Sequence, residues 1–125
     1  MSRIFPLAST ALLISQAALV SATDLTIHLK GPQSISRKRV LYQCDDRGVG
    51  MGLPTSPFWV EYINAGNNSL AVLPIGQSSQ IFVQVPSASG VRYASGQLIW
   101  WDARNTTLTS EALSGTKQSS CKTID

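Results

Sequence analysis

The sequence predicts an all-β domain, and two observations support this prediction. Short runs of alternating apolar and polar residues, rich in aromatic and β-branched side chains, give seven or eight candidate strands with turns at regular spacing. After residue 23, no stretch of the sequence has the period of a helix. This pattern is typical of an antiparallel sandwich or barrel, and periodicity alone does not choose between them.

The first candidate strand is residues 24–30. Leu25, Ile27 and Leu29 alternate there with polar residues, as in a strand that is buried on one face only. A Gly-Pro pair ends it, and residues 33–39 are expected to form a loop.

Residues 40–44 form the second candidate strand, in which Tyr42 and Cys44 are two positions apart and point to the same side. Asp45 and Asp46 follow in a turn, and residues 48–57 are a loop rich in Gly and Pro. Because turn aspartates normally face water, we predict no catalytic role for this pair.

Six further segments have strand character and are separated by turns of Asn, Asp, Gly and Ser. They are residues 58–63, 70–75, 81–85, the segment after Gly90, 97–101 and 106–112. Pro86 ends the strand that precedes Gly90. Residues 113–120 are polar, and we expect a loop that brings Cys121 back toward Cys44.

Residues 1–22 have the features of a secretory signal peptide. Arg3 gives a positive start, residues 7–20 are mostly apolar, and Val20-Ser21-Ala22 fits a small-residue cleavage site. We therefore predict residues 1–22 as signal peptide, 23–40 as an N-terminal strand with a basic loop, and 41–125 as the all-β domain. With no cysteine at the cleavage site, we expect no lipid anchor.

Net charge gives no support to binding of nucleic acid or of a membrane. Without Arg3 the balance is 9 Lys and Arg against 7 Asp and Glu, and a net +2 is too small to predict binding to nucleic acid or to a membrane. The one cluster, Arg37-Lys38-Arg39, is interpreted as a solvated loop.

The two cysteines predict one disulfide, Cys44–Cys121, because an exported chain matures in an oxidising compartment. The closed loop of 77 residues would stabilise the fold by about 4 kcal/mol on the chain-entropy model. A metal site is the alternative, but the single histidine, His28, offers no ligand spacing. We predict no metal and no cofactor.

Signatures of catalysis are missing from the sequence. His28 has no carboxylate placed to orient it, there is no Gly-rich phosphate loop, and the seven acidic residues are scattered. We therefore predict that the protein is not an enzyme.

The stretch from Pro86 to Trp101 contains Ser89-Gly90-x-x-Tyr93 and, beyond it, Gly96 followed by the aromatic pair Trp100-Trp101. This pattern resembles that of the MliC/PliC inhibitors of c-type lysozyme. Both cysteines also lie where that family has its pair, so the resemblance extends over about residues 41–121. It implies a small antiparallel barrel of about eight strands that inhibits a c-type lysozyme in the periplasm. Because no cysteine lies at the cleavage site, the resemblance favours the soluble periplasmic branch of the family over the membrane-bound one.

The resemblance also implies which residues bind lysozyme. Ser89 would be the hydroxyl inserted into the glycosidase cleft, Gly90 would allow close backbone approach, and Tyr93 would anchor the loop. The family continues its aromatic pair with a small residue and then Lys-Gly, whereas this chain has Ala103 at the lysine position. Arg104, one residue later, and Arg92 are the candidate cations.

A second hypothesis is a small exported barrel that binds a glycan or an apolar ligand at its tryptophans. Trp100 and Trp101 are neighbours on a strand, so one should enter the core and the other should face solvent. Ligand binding would depend on the exposed tryptophan, whereas inhibition would depend on Ser89. The sequence leaves a homodimer open.

Overall fold

The computed structural model describes Arg3, residues 22–112 and residues 115–125. Eight strands form a closed antiparallel barrel in which each strand pairs with its neighbours in sequence and β8 pairs with β1. The strands are β1 (Ile35–Cys44), β2 (Phe58–Ala65), β3 (Asn68–Ile75), β4 (Ser78–Val85), β5 (Val91–Ser95), β6 (Leu98–Asp102), β7 (Thr106–Ala112) and β8 (Gly115–Thr123). The prediction of an all-β barrel of about eight strands is confirmed.

Alternation along the strands places the core inside the barrel. On β2, Phe58, Val60 and Tyr62 are buried, whereas the intervening Trp59 is exposed on the outer surface. This period of two is the one that the sequence displays, because successive strand residues point to opposite faces of a sheet.

Trp100 lies at the centre of the core and is fully buried. Its ring meets Tyr42 edge-on at a centroid distance of 5.1 Å, and its indole Nε1 donates a hydrogen bond of 2.9 Å to the Tyr62 hydroxyl. The Tyr42 and Tyr62 hydroxyls are hydrogen-bonded to each other at 2.8 Å. The polar atoms of this aromatic cluster are therefore paired, which removes the cost of burying them.

The barrel closes where β1 meets β8. The two strands pair at three positions, and the last of these is the disulfide Cys44–Cys121. The predicted disulfide is thus confirmed. Beside it, a short 3₁₀ helix, Asp46–Met51, begins the connection to β2, a turn too brief to have a helical period in the sequence.

The strand predicted at residues 24–30 is wrong. The structure has no strand there, and Leu25 and Ile27 are 66% and 61% exposed. Because β1 is already paired on both sides, the closed barrel has no free edge beside it that this alternating segment could join.

The loop predicted at residues 33–39 is also partly wrong, because β1 begins at Ile35 and includes Arg37-Lys38-Arg39. All three basic residues are nevertheless exposed. Arg37 forms a surface ion pair of 2.8 Å with Glu61, and the Arg39 guanidinium lies 4.5 Å from the Trp59 ring centroid.

The polar loop predicted at residues 113–120 is a strand from Gly115 onward. β8 has few apolar residues, so it lacks the pattern by which the other strands are found in the sequence. Its buried positions are Ser119 and Cys121, and Ser119 donates a hydrogen bond of 2.8 Å to the Asp45 carboxylate instead of packing as an apolar side chain.

The predicted signal peptide lies almost entirely outside the described residues, as do residues 113 and 114. The domain boundaries at residues 22 and 40 stay predictions.

Candidate functional site

The connection between β4 and β5, residues 86–90, forms an exposed loop at one end of the barrel. Ser89 is exposed at its tip, and among the described residues no hydrogen bond occupies the Ser89 hydroxyl. The connection between β6 and β7, residues 103–105, lies beside this loop at the same end.

Gly90 allows the two connections to pack against each other. Its φ of +62° lies in the left-handed region, where a side chain is strained. A Cβ atom at this position would also come within 2.7 Å of the Asp102 carbonyl oxygen and 2.8 Å of the Ala103 Cβ. Only glycine therefore fits this close approach.

Two hydrogen bonds hold the backbone of the loop at Ser89. The Ser89 carbonyl accepts one from the Ser87 hydroxyl and another, of 2.9 Å, from the indole Nε1 of Trp101. Trp101 is 37% exposed, whereas Trp100 is buried in the core. Of the pair Trp100-Trp101, the structure thus identifies Trp101 as the one on the outer surface.

Four of the five predicted site residues line one surface groove: Ser89, Gly90, Arg92 and Arg104. Tyr93 does not, because it points into the barrel, where its ring centroid lies 5.6 Å from that of Tyr62. Burial of the Tyr93 hydroxyl raises its pKa, with the Asp102 carboxylate as the second cause. Tyr93 is therefore placed to hold β5 in the core and not to touch a partner.

The groove brings two cations close to the loop. Arg104 is exposed in the connection 103–105, and the Arg92 guanidinium lies 5.5 Å from the Trp101 ring centroid. The buried Nε of Arg92 has no hydrogen-bond partner among the described residues. Ala103, at the family's lysine position, contributes only a methyl group against Gly90.

Sequence reasoning did not find the rest of the groove. Five further lining residues belong to β6, β7 and β8: Ile99, Thr107, Thr109, Glu111 and Gln118. The sequence predicts β6 and β7 as strands, so alternation could have identified their outward-facing groove residues. It predicts β8 as a loop, so Gln118 could not have been found in this way.

The pKa values of two aspartates outside the groove are shifted in opposite directions. The Asp45 carboxylate caps the 3₁₀ helix through the Arg47 N–H, and hydrogen bonds from the Ser120 N–H and the Ser119 hydroxyl lower its pKa. Asp102 is partly buried at the end of β6, and this burial raises its pKa. Asp45 is thus a structural cap, as expected of a turn aspartate.

These features define a small, disulfide-closed barrel that presents a polar loop beside a groove, which is the arrangement of a binding protein. In the ranges that the structure covers, no three His, Cys, Asp or Glu side chains come together as a metal site would require.

The family model of the membrane-bound lysozyme inhibitor of c-type lysozyme, MliC, matches residues 42–116, which is more than half of the chain. The chain belongs to this family. Because the family consists of inhibitors, the prediction that the chain is not an enzyme is confirmed.

Two curated relatives have the name membrane-bound lysozyme inhibitor of C-type lysozyme. The one from Pseudomonas aeruginosa is 40% identical over 74 residues, which are 58% of this chain and 52% of the relative. The one from Cupriavidus necator is 39% identical over 64 residues, which are 51% of this chain and 45% of the relative. The chain therefore spans about half the length of the curated relatives it matches.

A crystal structure of Pseudomonas aeruginosa MliC in complex with hen egg white lysozyme is similar to this barrel. The TM-score is 0.63 at 34% sequence identity, and the match covers 83% of this chain and 99% of that chain. Within the described part of our chain, no helix has both the length and the apolar character needed to cross a bilayer.

Proposed function

We propose that the protein is a periplasmic inhibitor of c-type lysozyme that inserts the loop bearing Ser89 into the glycosidase cleft. The observation that carries this proposal is the convergence of an unoccupied Ser89 hydroxyl with Arg92 and Arg104 at one groove. Family membership and the similar MliC structure in complex with hen lysozyme support the choice of partner.

The chemistry of the cleft fits this loop. A retaining glycosidase such as lysozyme has one protonated carboxylic acid and one ionised carboxylate on either side of the scissile bond. A serine hydroxyl can donate a hydrogen bond to a carboxylate and accept one from a carboxylic acid. A neighbouring guanidinium can pair with the ionised carboxylate through charge-assisted hydrogen bonds, which are the stronger kind.

The cation would come from Arg92 or Arg104, because Ala103 cannot supply it. Arg92 extends from β5 into the groove, whereas Arg104 is on the adjacent connection. If either guanidinium pairs with the cleft, inhibition should weaken as salt rises, since screening reduces attraction between partly exposed charges.

The decisive experiment measures lysis of peptidoglycan by a c-type lysozyme in the presence of the parent, Ser89→Ala and Ser78→Ala. Loss of a hydrogen bond to a charged group should raise the inhibition constant of Ser89→Ala about 10- to 150-fold. Ser78 is exposed at the opposite end of β4, so Ser78→Ala should inhibit like the parent. A parent that is folded and oxidised but does not inhibit would refute the proposed function.

We also propose that the mature protein is soluble in the periplasm. Both cysteines of the sequence are in the disulfide, so neither is left to carry a lipid, although the curated relatives are named membrane-bound. Fractionation of cells that express the full chain should recover it in the periplasmic extract, and recovery with the membranes would contradict this.

The alternative function is binding of a glycan or apolar ligand in the same groove. Its volume of about 540 Å³ would accommodate a small ligand, and Trp101 provides a partly exposed aromatic face. Ligand binding of this kind should survive Ser89→Ala and be lost in Trp101→Ala.

A further inference from the structure

Trp101 contacts both chemical groups of the proposed inhibitory site. Its indole Nε1 donates a hydrogen bond of 2.9 Å to the Ser89 carbonyl, and its ring face lies 5.5 Å from the Arg92 guanidinium carbon. Arg92 and Trp101 are directly opposite each other on β5 and β6. One side chain therefore lies between the hydroxyl-bearing loop and a candidate cation.

The loop depends on such contacts because residues 86–90 are outside the strand pairing of the barrel. The Ser87 hydroxyl and the Trp101 indole both donate to the Ser89 carbonyl, and Gly90 lets the chain pass so close that an added Cβ would lie 3.0 Å from Trp101 Nε1. A loop that is already ordered loses less conformational entropy when it binds, which strengthens binding without any new contact.

Arg92 is held in a similar way. A guanidinium over an indole face is attracted by the ring quadrupole. The buried Nε has no hydrogen-bond partner among the described residues, so packing against Trp101 is the contact that orients this side chain along the groove.

We propose that Trp101 is a positioning residue of the inhibitory site. Its indole N–H fixes the Ser89 backbone and its ring face fixes the Arg92 guanidinium, so that hydroxyl and cation point into the same groove. This inference rests on the proposed function for its effect on lysozyme, but the ordering of the loop is a property of the free protein.

The first experiment removes the N–H and keeps an aromatic ring. Trp101→Phe should raise the inhibition constant about 2- to 10-fold, the range expected for one neutral hydrogen bond. Trp59→Phe is the matched control, because Trp59 is also exposed and also lies under an arginine, Arg39, but outside the groove. The control should inhibit like the parent, and equal inhibition by Trp101→Phe would overturn the proposal.

A double-mutant cycle separates positioning from general stability. If Trp101 acts through the Ser89 loop, Trp101→Phe should have little further effect once Ser89 is alanine. A purely structural role would weaken inhibition by the same factor in both backgrounds and would thereby overturn the proposal.

A measurement without lysozyme tests the positioning role of Trp101 separately from the proposed inhibition of lysozyme. By NMR, the indole N–H of Trp101 should exchange with solvent more slowly than that of Trp59, and the Gly90 amide should exchange faster in Trp101→Phe than in the parent. Equal exchange of the two indoles would overturn the positioning role even if the parent inhibits lysozyme. Slow exchange in a parent that does not inhibit would support the positioning role and refute the proposed function.

Discussion

At the scale of single residues, Asp45 stabilises the folded protein through its charge. Its carboxylate accepts hydrogen bonds from the Arg47 and Ser120 N–H groups and from the Ser119 hydroxyl, which joins the 3₁₀ helix to β8. The Ser120 N–H and Ser119 hydroxyl are the main reasons that its pKa is lowered. A carboxyl group with a lowered pKa contributes stability above its unfolded pKa and loses it as pH falls.

We therefore expect Asp45→Asn to lower the free energy of unfolding by about 1 kcal/mol at pH 7, the usual cost of a lost cap at an exposed site. An amide can still accept one bond, but its NH₂ group opposes the donors. The difference in the free energy of unfolding between variant and parent, measured with urea, should shrink as pH falls below about 3.9, the ordinary pKa of Asp in an unfolded chain. Below that pH the parent progressively loses the stability that its charge contributes. A pH-independent difference would show that the charge is not responsible.

Asp102 should behave in the opposite way. Burial raises its pKa, and the Tyr62 hydroxyl and Lys38 offset this only in part. A carboxyl group with a raised pKa contributes stability below its unfolded pKa and loses it as pH rises through the folded value.

Asp102→Asn removes this titration and should therefore gain stability relative to the parent between pH 3 and pH 7. Urea unfolding of the same two proteins at both pH values measures the change. Asp45→Asn is the matched comparison, because its loss of unfolding free energy relative to the parent should grow between pH 3 and pH 7. A relative stability of Asp102→Asn that falls with rising pH would contradict the raised pKa.

At the scale of elements, the β4–β5 loop is shaped by the backbone of its neighbour. Gly90 has a φ of +62° and packs against the β6–β7 connection. Gly96, in the β5–β6 turn, has a nearly equal φ of +58° but nothing within 4 Å of its Cβ position. A substitution at Gly96 would therefore introduce backbone strain alone, whereas one at Gly90 would introduce strain and a steric clash.

Gly90→Ala should lose more stability than Gly96→Ala. Both should lose about 1–2 kcal/mol from left-handed strain. Gly90→Ala should lose more because the added Cβ meets the Asp102 carbonyl oxygen and the Ala103 Cβ, neither of which can rotate away. It should also displace Ser89 and weaken lysozyme inhibition, whereas Gly96→Ala should inhibit like the parent. Thermal unfolding and the lysis assay measure both effects, and equal behaviour of the two variants would argue against close packing at Gly90.

The elements that the sequence predicts are those whose inward residues are apolar. β2 is found from Phe58, Val60 and Tyr62 because its alternation directly records burial. β8 is missed because its fully buried Ser119 is paired with Asp45, a partner that is distant in the sequence. Residues 24–30 show that alternation alone does not make a strand when no sheet edge is free.

The candidate site also has features that the local sequence predicts and features that it does not. Ser89, Gly90, Arg92 and Arg104 were predicted from a local motif and its neighbours, and they line one groove. Local sequence does not contain the hydrogen bond from Trp101 to Ser89, because that bond depends on the register of β5 against β6. Tyr93, which the resemblance implies as the anchor of the loop, is buried in the core.

At the scale of the whole molecule, closure of the barrel depends on a short pairing between its first and last strands. β1 pairs with β2 at eight positions but with β8 at only three, the last of which is the disulfide. Hydrogen bonds from the Asp45 and Ile124 N–H groups cross the same seam. The bond between Cys44 and Cys121 thus adds a covalent link where the first and last strands share only three paired positions.

Replacing both cysteines by serine should lower the free energy of unfolding by about 4 kcal/mol, since the lost cross-link closes a loop of 77 residues in the unfolded chain. That is a large part of the 5–15 kcal/mol typical of a domain. Urea unfolding of the oxidised parent, the reduced parent and the double variant measures it. The reduced parent and the double variant should have the same free energy of unfolding, because both lack the cross-link.

Hydrogen exchange locates the effect within the barrel. If the disulfide acts only on the unfolded chain, all slowly exchanging amides of the double variant should accelerate together. If it also holds the seam, the amides of Asp45 and Ile124 should accelerate more than those between β3 and β4, and inhibition should fall less than stability, because the loop bearing Ser89 is built on β4 and β5. Unchanged exchange in a folded double variant would show that barrel closure does not need the bond.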